Sequence, residues 1–318
     1  MNKIAIRKIV LLSVIAVLAV IYIFQISLGG RKSSKTVSFE EEADRIEIVT
    51  GTAEDSKIVL SKKNDAWFTG LEGKTSYPAD SASVEGMQNI LKEIKLLSNV
   101  ASSASNDADR YGLDEANKIT VKAFKGEKCL RTLTVGKNTS TGNQAYVQVD
   151  GKNTVYLEDR PLHSTFSTSV DSLRSKNVYQ ADSSSVMAVK VTSPEGKTFA
   201  VARNTAPVVG DAVQSVWTLA ENTTGQEGSL DDSSVTSWVN SISTLNVSGW
   251  EADDVKLGGS VSCTTVEIST SSVTYTVRVS SADTDSVLCA SSSTPYAFNV
   301  GKYVAQRYTK ELSSLFKK

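Results

Sequence analysis

Residue types that perform catalysis are sparse in this sequence. Its single histidine, His163, stands beside Ser164. A Ser-His nucleophile also needs an orienting acid and a strained turn, and no Gly-x-Ser-x-Gly segment occurs. His163 is therefore expected at the surface or at the cap of a short helical stretch.

Two segments resemble the end of a phosphate-binding loop. Gly136-Lys137-Asn138-Thr139 has Arg131 where the leading glycine is required, and Gly301-Lys302 has Tyr296 there. Without that glycine the cradle of backbone amides that holds phosphates is missing. Gly136 is instead predicted to lie in a hairpin turn after a strand.

No metal site is predicted. A zinc site needs cysteine and histidine residues at close spacing, and the cysteines and the histidine of this chain are far apart in the sequence. The candidates for calcium binding are Glu40–Glu42, Asp231-Asp232, Asp253-Asp254 and Asp283 with Asp285. None of them continues into a calcium-binding loop, so these residues are expected at solvated helix starts and turns, with a weakly bound cation as the alternative. A pair of catalytic carboxylates, as used for glycoside hydrolysis, remains an open alternative, because the distance between two carboxylates is set by the fold and not by their spacing in the sequence.

Cysteine content and charge narrow the function further. Cys129, Cys263 and Cys289 make an odd set, so three buried or half-buried thiols are expected, with a Cys263–Cys289 bridge as the alternative. A net charge of −1 gives no electrostatic footprint for nucleic acid. The sequence therefore predicts no catalytic, cofactor-binding or metal-binding residue, no cofactor, and a protein that is not an enzyme.

One apolar segment near the start predicts membrane topology. Ile9 to Leu28 carries no charge, proline or glycine. About 20 helical residues span the hydrocarbon core of a bilayer. The segment predicts an uncleaved signal-anchor within residues 1–35, a cytoplasmic N-terminus and an extracytoplasmic remainder of a single-pass cell-membrane protein. A cleaved secretory signal is the alternative.

The rest of the chain shows internal similarity. Strand-like segments lead to Trp67 in one half and Trp217 in the other, where core packing is expected rather than a ligand platform. Apolar residues then recur at helical spacing after a capping aspartate, from Val84 to Leu97 and from Val235 to Leu245, and strands return. The predicted fold class is α+β: a transmembrane helix followed by duplicated modules over residues 36–182 and 183–318. Each module is an antiparallel sheet with an amphipathic helix on one face.

Five short segments carry a family resemblance: Trp67, Tyr77-Pro78-Ala79-Asp80, Arg110-Tyr111-Gly112-Leu113-Asp114, Leu133 to Lys137, and Tyr146-Val147. Together they resemble a bacterial family of domains of unknown function. The resemblance implies single-span proteins with repeated α+β modules, found beside ABC-transporter components of the gliding-motility type. It assigns no catalytic residues. The second module departs from the pattern, with Trp250-Glu251-Ala252-Asp253 where the Tyr-Gly-Leu-Asp segment would stand.

These observations together predict a non-enzymatic, membrane-anchored extracytoplasmic accessory or scaffolding subunit of an ABC-type transport complex. The expected partners are the lipid bilayer, an ABC permease and ATPase, and auxiliary membrane subunits, and no nucleic acid. The alternative is an extracytoplasmic binding module for a cell-envelope polymer or small solute. A hydrolase whose carboxylates meet only in the fold is a third hypothesis.

Overall fold

The computed structural model describes residues 14–15, 17–21, 34–51, 57–104, 107–206 and 214–317. The chain divides between Ser175 and Lys176 into two compact units. The sequence-based boundary follows residue 182.

Unit one is built on a ten-stranded antiparallel sheet with the order β1-β6-β10-β9-β8-β7-β2-β3-β4-β5. Its strands are β1 Lys35–Ser38, β2 Arg45–Thr50, β3 Ile58–Lys63, β4 Ala66–Leu71, β5 Ser76–Pro78, β6 Glu93–Ala101, β7 Ile119–Lys125, β8 Lys128–Asn138, β9 Ala145–Val149 and β10 Val155–Glu158. Burial alternates along them, as in β7, where Ile119, Val121 and Ala123 are buried and their neighbours are not. Successive side chains of a strand point to opposite faces, so one face carries the core.

The main helix of unit one covers the buried face of the sheet. Helix α1 spans Ser81–Lys92 and buries Val84, Met87 and Leu91. Asp80 caps it by accepting a hydrogen bond from the Ser83 N–H at 2.9 Å. A side-chain oxygen at this position satisfies an amide that has no partner inside the helix. Short helices follow: α2 Ala108–Tyr111, α3 Leu162–Phe166 and α4 Val170–Leu173.

Unit two has an eight-stranded antiparallel sheet with the order β14-β13-β12-β17-β18-β19-β20-β16, and a two-stranded sheet of β11 and β15. Its strands are β11 Asn177–Gln180, β12 Val186–Thr192, β13 Thr198–Ala206, β14 Gln214–Asn222, β15 Thr244–Asn246, β16 Gly249–Trp250, β17 Cys263–Thr270, β18 Thr274–Ser280, β19 Ser286–Ser291 and β20 Thr294–Gly301. The helices are α5 Asp232–Ile242 and α6 Lys302–Tyr308, with 3-10 turns at Ser183–Ser185 and Leu312–Leu315.

A buried tyrosine pair closes the core of unit two. The Tyr179 hydroxyl donates to the Ile242 carbonyl at the end of α5 over 2.6 Å, and it lies 2.8 Å from the Tyr308 hydroxyl. Burial raises the pKa of both tyrosines, that of Tyr308 to about 12. Both hydroxyls therefore stay protonated and act as hydrogen-bonding groups that hold α5, α6 and β11 together.

The helix starts are built alike in the two units. Asp231 caps α5 through the Ser234 N–H at 3.0 Å, as Asp80 caps α1. The Asp80 N–H donates to the Leu173 carbonyl and the Asp231 N–H to the Leu315 carbonyl, both over 2.8 Å. The strand order β10-β9-β8-β7-β2-β3-β4 in unit one has the same connectivity as β20-β19-β18-β17-β12-β13-β14 in unit two. The helices predicted after the capping aspartates are confirmed, over Ser81–Lys92 and Asp232–Ile242.

The predicted fold class, however, is wrong. Over the residues that the structure describes, the chain is mostly β-sheet, with three antiparallel sheets and without a helix that could span a membrane, instead of a transmembrane helix with α+β modules. The physical reason is that the helices are short: α1 ends at Lys92, and Glu93–Ala101 continues as strand β6. The apolar residues Ile94 and Leu97, placed on the helix from their spacing, lie in that strand. Spacing of three and four residues cannot by itself show where a helix gives way to a strand.

The prediction of a membrane anchor is also corrected. Among the described residues there is no helix of sufficient length and apolarity to cross a membrane, which contradicts the predicted single-pass localisation. Most of the predicted span, Ile9 to Leu28, lies outside the described residues. The residues of that segment that the structure describes, 14–15 and 17–21, are helical.

Candidate functional site

Two of the segments that carry the family resemblance pack against each other in unit one. Helix α2 ends at Gly112, whose φ of 66° lies in the left-handed region. A Cβ at Gly112 would come within 2.7 Å of the Lys137 backbone nitrogen, and a Cβ at Gly136 within 2.2 Å of the Tyr111 carbonyl oxygen. Glycine at both positions therefore allows a backbone-to-backbone approach that a side chain would block.

The side chains around this contact form a small core of their own. Tyr111, Leu113, Ala104 and Val155 are buried together. The ring of Tyr146 meets that of Tyr111 edge to face, with centroids 5.1 Å apart. Edge-to-face pairs are favourable beyond the area they bury. The segment from Arg110 to Asp114 is thus anchored on strands β8 and β9, and this gives its residues a structural role.

His163 belongs to the same cluster. Its Nδ1 lies 3.1 Å from the Gly136 carbonyl oxygen, which can only accept, so Nδ1 carries the proton and donates. The His163 N–H donates to Asn138 Oδ1 at 3.2 Å, and Asn138 Nδ2 donates to Ser164 Oγ at 2.8 Å. His163 is half-buried and lies inside α3, whose N-terminal cap is Pro161, so it does not cap the helix as predicted; its contacts give it a structural role. Gly136 lies within β8, so its predicted place in a hairpin turn is wrong.

The acidic groups considered for cations are dispersed in the fold. Asp231 caps α5, Asp232 accepts from the Trp217 N–H at 2.8 Å, and Asp283 pairs with Lys302 at 2.6 Å. Glu41 pairs with Lys128. Over the ranges that the structure describes, no three histidine, cysteine, aspartate or glutamate side chains come together as metal ligands.

The cysteines are all free thiols. Cys263 is half-buried and Cys289 is buried, as expected, whereas Cys129 is exposed, so the expectation of burial is wrong there. Strand β18 lies between the strands that carry Cys263 and Cys289, so the alternative of a bridge between them is wrong. Burial raises the pKa of the Cys289 thiol to about 12. A thiol that stays protonated is a poor nucleophile and a poor metal ligand.

Both tryptophans at matching places are packing residues, as expected. Trp67 and Trp217 are 8% and 4% exposed. Trp217 Nε1 donates to Thr236 Oγ1 on α5 at 3.1 Å, and the guanidinium of Arg203 lies 4.9 Å from its ring centroid. Neither ring is available as a platform for a ligand.

The outer edge of the sheet in unit two is a first candidate binding surface. Strand β14 has nine residues and, among the described strands, pairs only with β13. In unit one the corresponding strand β4 is covered by β5. The Asp232 carboxylate accepts a hydrogen bond from the Trp217 N–H on β14, so this backbone donor is already paired. Past Trp217 the strand carries Leu219, which is 37% exposed, and one charged residue, Glu221, which is engaged in an ion pair with Lys190 on β12.

A groove between α5 and α6 in unit two is the second candidate. It encloses about 490 Å³. Four serines of α5 form one wall: Ser233, Ser234, Ser237 and Ser241. The other wall consists of Tyr303, Gln306, Arg307 and Lys310, and Trp238 and Leu315 form the floor. No carboxylate lines it.

The groove is rigidly built. Trp238 Nε1 on α5 donates to the Arg307 carbonyl on α6 over 2.8 Å, so the floor ties the two helices together. Val235, Trp238, Val239 and Ile242 are buried behind α5, and Ala305 and Tyr308 behind α6. The groove-facing side of each helix is therefore presented by a fixed backbone, an arrangement that suits a binding site.

A smaller cleft in unit one differs in charge. It encloses about 310 Å³ beside α1 and is lined by Glu41, Glu42, Asp65 and Glu85 together with Lys62 and Lys92. Lys62 lies 3.6 Å from Asp65, and Glu41 pairs with Lys128. The cleft therefore carries charges of both signs, with one ion pair between its own lining residues and one to Lys128 outside it.

The fold and these surfaces define a two-unit, mostly β protein with an open sheet edge and a polar groove. Residues 67–259, more than half of the chain, match the family described as Domain of unknown function (DUF4340). The chain belongs to this family. No curated protein and no solved structure matches it.

Proposed function

We propose that this protein is a non-enzymatic accessory or scaffolding subunit that binds components of an ABC-type transport complex. Membership of the DUF4340 family supports the proposal, because the resemblance that led to this family implies a place beside ABC-transporter components. The shared strand order of the units also supports a tandem duplication of one module.

The observation that carries the proposal is the open edge of β14. An unpaired edge offers backbone N–H and C=O groups to an extended segment of another protein, which adds to the sheet as a further strand. We place the docking on the part of β14 beyond Trp217, since the Trp217 amide already donates to the Asp232 carboxylate. Leu219 gives that part an exposed apolar side chain for an incoming strand.

Both ends of this open segment make contacts within unit two, Trp217 with the Asp232 carboxylate and Glu221 with Lys190 and Thr198. Glu221 forms an ion pair with Lys190 at 2.9 Å and accepts from Thr198 Oγ1 at 2.7 Å. Because these contacts fix the strand before a partner arrives, the entropic cost of docking falls mainly on the partner's segment.

The test is affinity purification of the tagged full-length protein from its native cells after mild crosslinking, with mass spectrometry of what co-purifies. A permease and an ATPase of the ABC type are expected in stoichiometric amount. The variant Leu219→Lys places a charge on the open edge and is expected to lower their recovery about tenfold, equivalent to about 1.4 kcal/mol.

Met187→Lys is the matched control. Met187 is 47% exposed, but β12 is paired on both sides with β13 and β17, so no strand can add there. Recovery of the protein alone would contradict the proposed partner. Equal loss with both variants would contradict docking at the β14 edge.

A second candidate function is ligand capture in the α5–α6 groove. Tyr303 favours it, because this large side chain is 84% exposed at the groove. A ligand that binds there should raise the melting temperature of the protein, since binding to the native state alone stabilises it.

A further inference from the structure

We propose that the α5–α6 groove binds an acidic saccharide, a ligand that carries both hydroxyl groups and a carboxylate. This inference rests on the second candidate function, ligand capture, and names the class of ligand. It follows from the different hydrogen-bonding character of the two walls.

The serine wall mainly accepts hydrogen bonds from a ligand. The hydroxyls of Ser233 and Ser234 donate to the Asp231 carboxylate over 2.7 and 2.6 Å. The Ser241 hydroxyl donates to the Trp238 carbonyl over 2.6 Å. Their protons are engaged, so what these oxygens offer to a ligand is lone pairs. Ligand hydroxyls are the donors that match such a wall.

The opposite wall donates and is cationic. Arg307 and Lys310 line it, and neither forms an ion pair within the described residues. Guanidinium and ammonium groups have no acceptor capacity. The Asp231 carboxylate, held by its serines, does not line the groove. An anionic group on the ligand is the partner that this wall lacks.

Tyr303 adds the third feature. A tyrosine gives a large, rigid contact area with an apolar ring and a polar tip, at low conformational cost. The ring of a sugar presents apolar C–H groups and peripheral hydroxyls, which match that combination. Two cations in a chain of net charge −1 do not make the extended basic track that a nucleic acid backbone requires.

The experiment is titration calorimetry of the full-length protein with three probes at low ionic strength: tetragalacturonate, neutral maltotetraose and inorganic phosphate. Tetragalacturonate is expected to bind, and more weakly as salt is added, because exposed charges are screened. Maltotetraose and phosphate are each expected to bind at least tenfold more weakly.

Variants locate the site. The double variant Arg307→Gln with Lys310→Gln is expected to lower the affinity for tetragalacturonate at least tenfold, and Tyr303→Ala several-fold. Lys152→Gln removes an exposed cation from unit one and is the control, with unchanged affinity expected. Arg307 and Tyr303 are exposed, so their variants should melt like the unaltered protein.

Each other outcome overturns the inference in a distinct way. Preferential binding of maltotetraose would refute the acidic class and leave ligand capture standing. Phosphate binding equal to tetragalacturonate would mark an anion site only. Binding that survives the double variant would place the site elsewhere, and binding of none of the probes would refute this inference together with ligand capture by the groove.

Discussion

Replacing Gly136 with alanine tests the packing of the family-specific segments most directly. The new Cβ would lie 2.2 Å from the Tyr111 carbonyl oxygen and 3.1 Å from Leu113 Cγ. The nearest atom belongs to the backbone and cannot rotate away, so α2 and β8 must separate. Overpacking of this kind costs about 1–3 kcal/mol, and a backbone obstacle puts Gly136→Ala at the upper end, about 3 kcal/mol.

Undocking of the segment sets the upper limit on this cost. It would expose Tyr111 and Leu113, which are 7% and 6% exposed in the fold. Exposing two large apolar side chains costs about 3–6 kcal/mol, so strain is the cheaper response. For a unit of this size the expected loss corresponds to a fall in melting temperature of about 6–12 °C.

The assay is thermal unfolding of the full-length protein combined with hydrogen exchange of the amides in residues 107–117 and 128–138. Faster exchange is expected in both segments of the Gly136→Ala variant, because their mutual contact is what the methyl group disturbs. Exchange in unit two should not change.

Two other glycines serve as controls. Gly126 has a φ of 55° and nothing within 4 Å of its Cβ position, so alanine there shows the cost of the left-handed backbone alone, about 1–2 kcal/mol. Gly86 lies within α1 with open space around it, and alanine there should stabilise by about 0.5–1 kcal/mol. A Gly136→Ala protein that melts within 2 °C of the unaltered protein, or above the Gly126→Ala protein, would refute the close backbone contact.

Two further predictions concern unit two's tyrosine pair and the pH dependence of unit one. Tyr179→Phe removes the buried donor to the end of α5 and should cost about 1–3 kcal/mol in urea unfolding; a loss below 0.5 kcal/mol would contradict its role. The Ser83 hydroxyl and N–H hold the pKa of Asp80 below its usual value. A lowered folded-state pKa contributes stability above pH 4, and this contribution is lost as pH falls through the folded pKa. Asp80→Asn keeps a capping oxygen and should reduce that acid sensitivity, measured by circular dichroism from pH 6 to pH 2; an unchanged acid transition would refute the assignment.

Local sequence was sufficient for features that depend on neighbouring residues. Asp80 and Asp231 precede helical spacing, and both cap helices, because a capping oxygen bonds an amide only three residues away. The packing role of Trp67 and Trp217 likewise follows from their apolar character. The family-specific segments could also be found in the sequence, although their contact with each other could not.

The boundaries between helices and strands were harder to predict from the sequence. Ile94 and Leu97 continue the apolar spacing of α1, yet they belong to β6, since pairing of β6 with β1 and β10 outweighs the local pattern. The same limitation affects the fold class, because the proportion of strand depends on pairings between distant segments. The membrane span came from hydropathy alone, a signal that carries no information on tertiary structure.

The sequence by itself determined the helix starts, the alternation of buried strand residues and the scarcity of catalytic side chains. Tertiary structure alone decided which surfaces can bind. Strand β14 is an open edge because none of the described strands covers it as β5 covers β4. The groove lies between α5 and α6, which are far apart in the chain and are held together by their shared core and by the bond from Trp238 to Arg307. Both depend on contacts between residues distant in sequence, and local patterns do not encode such contacts.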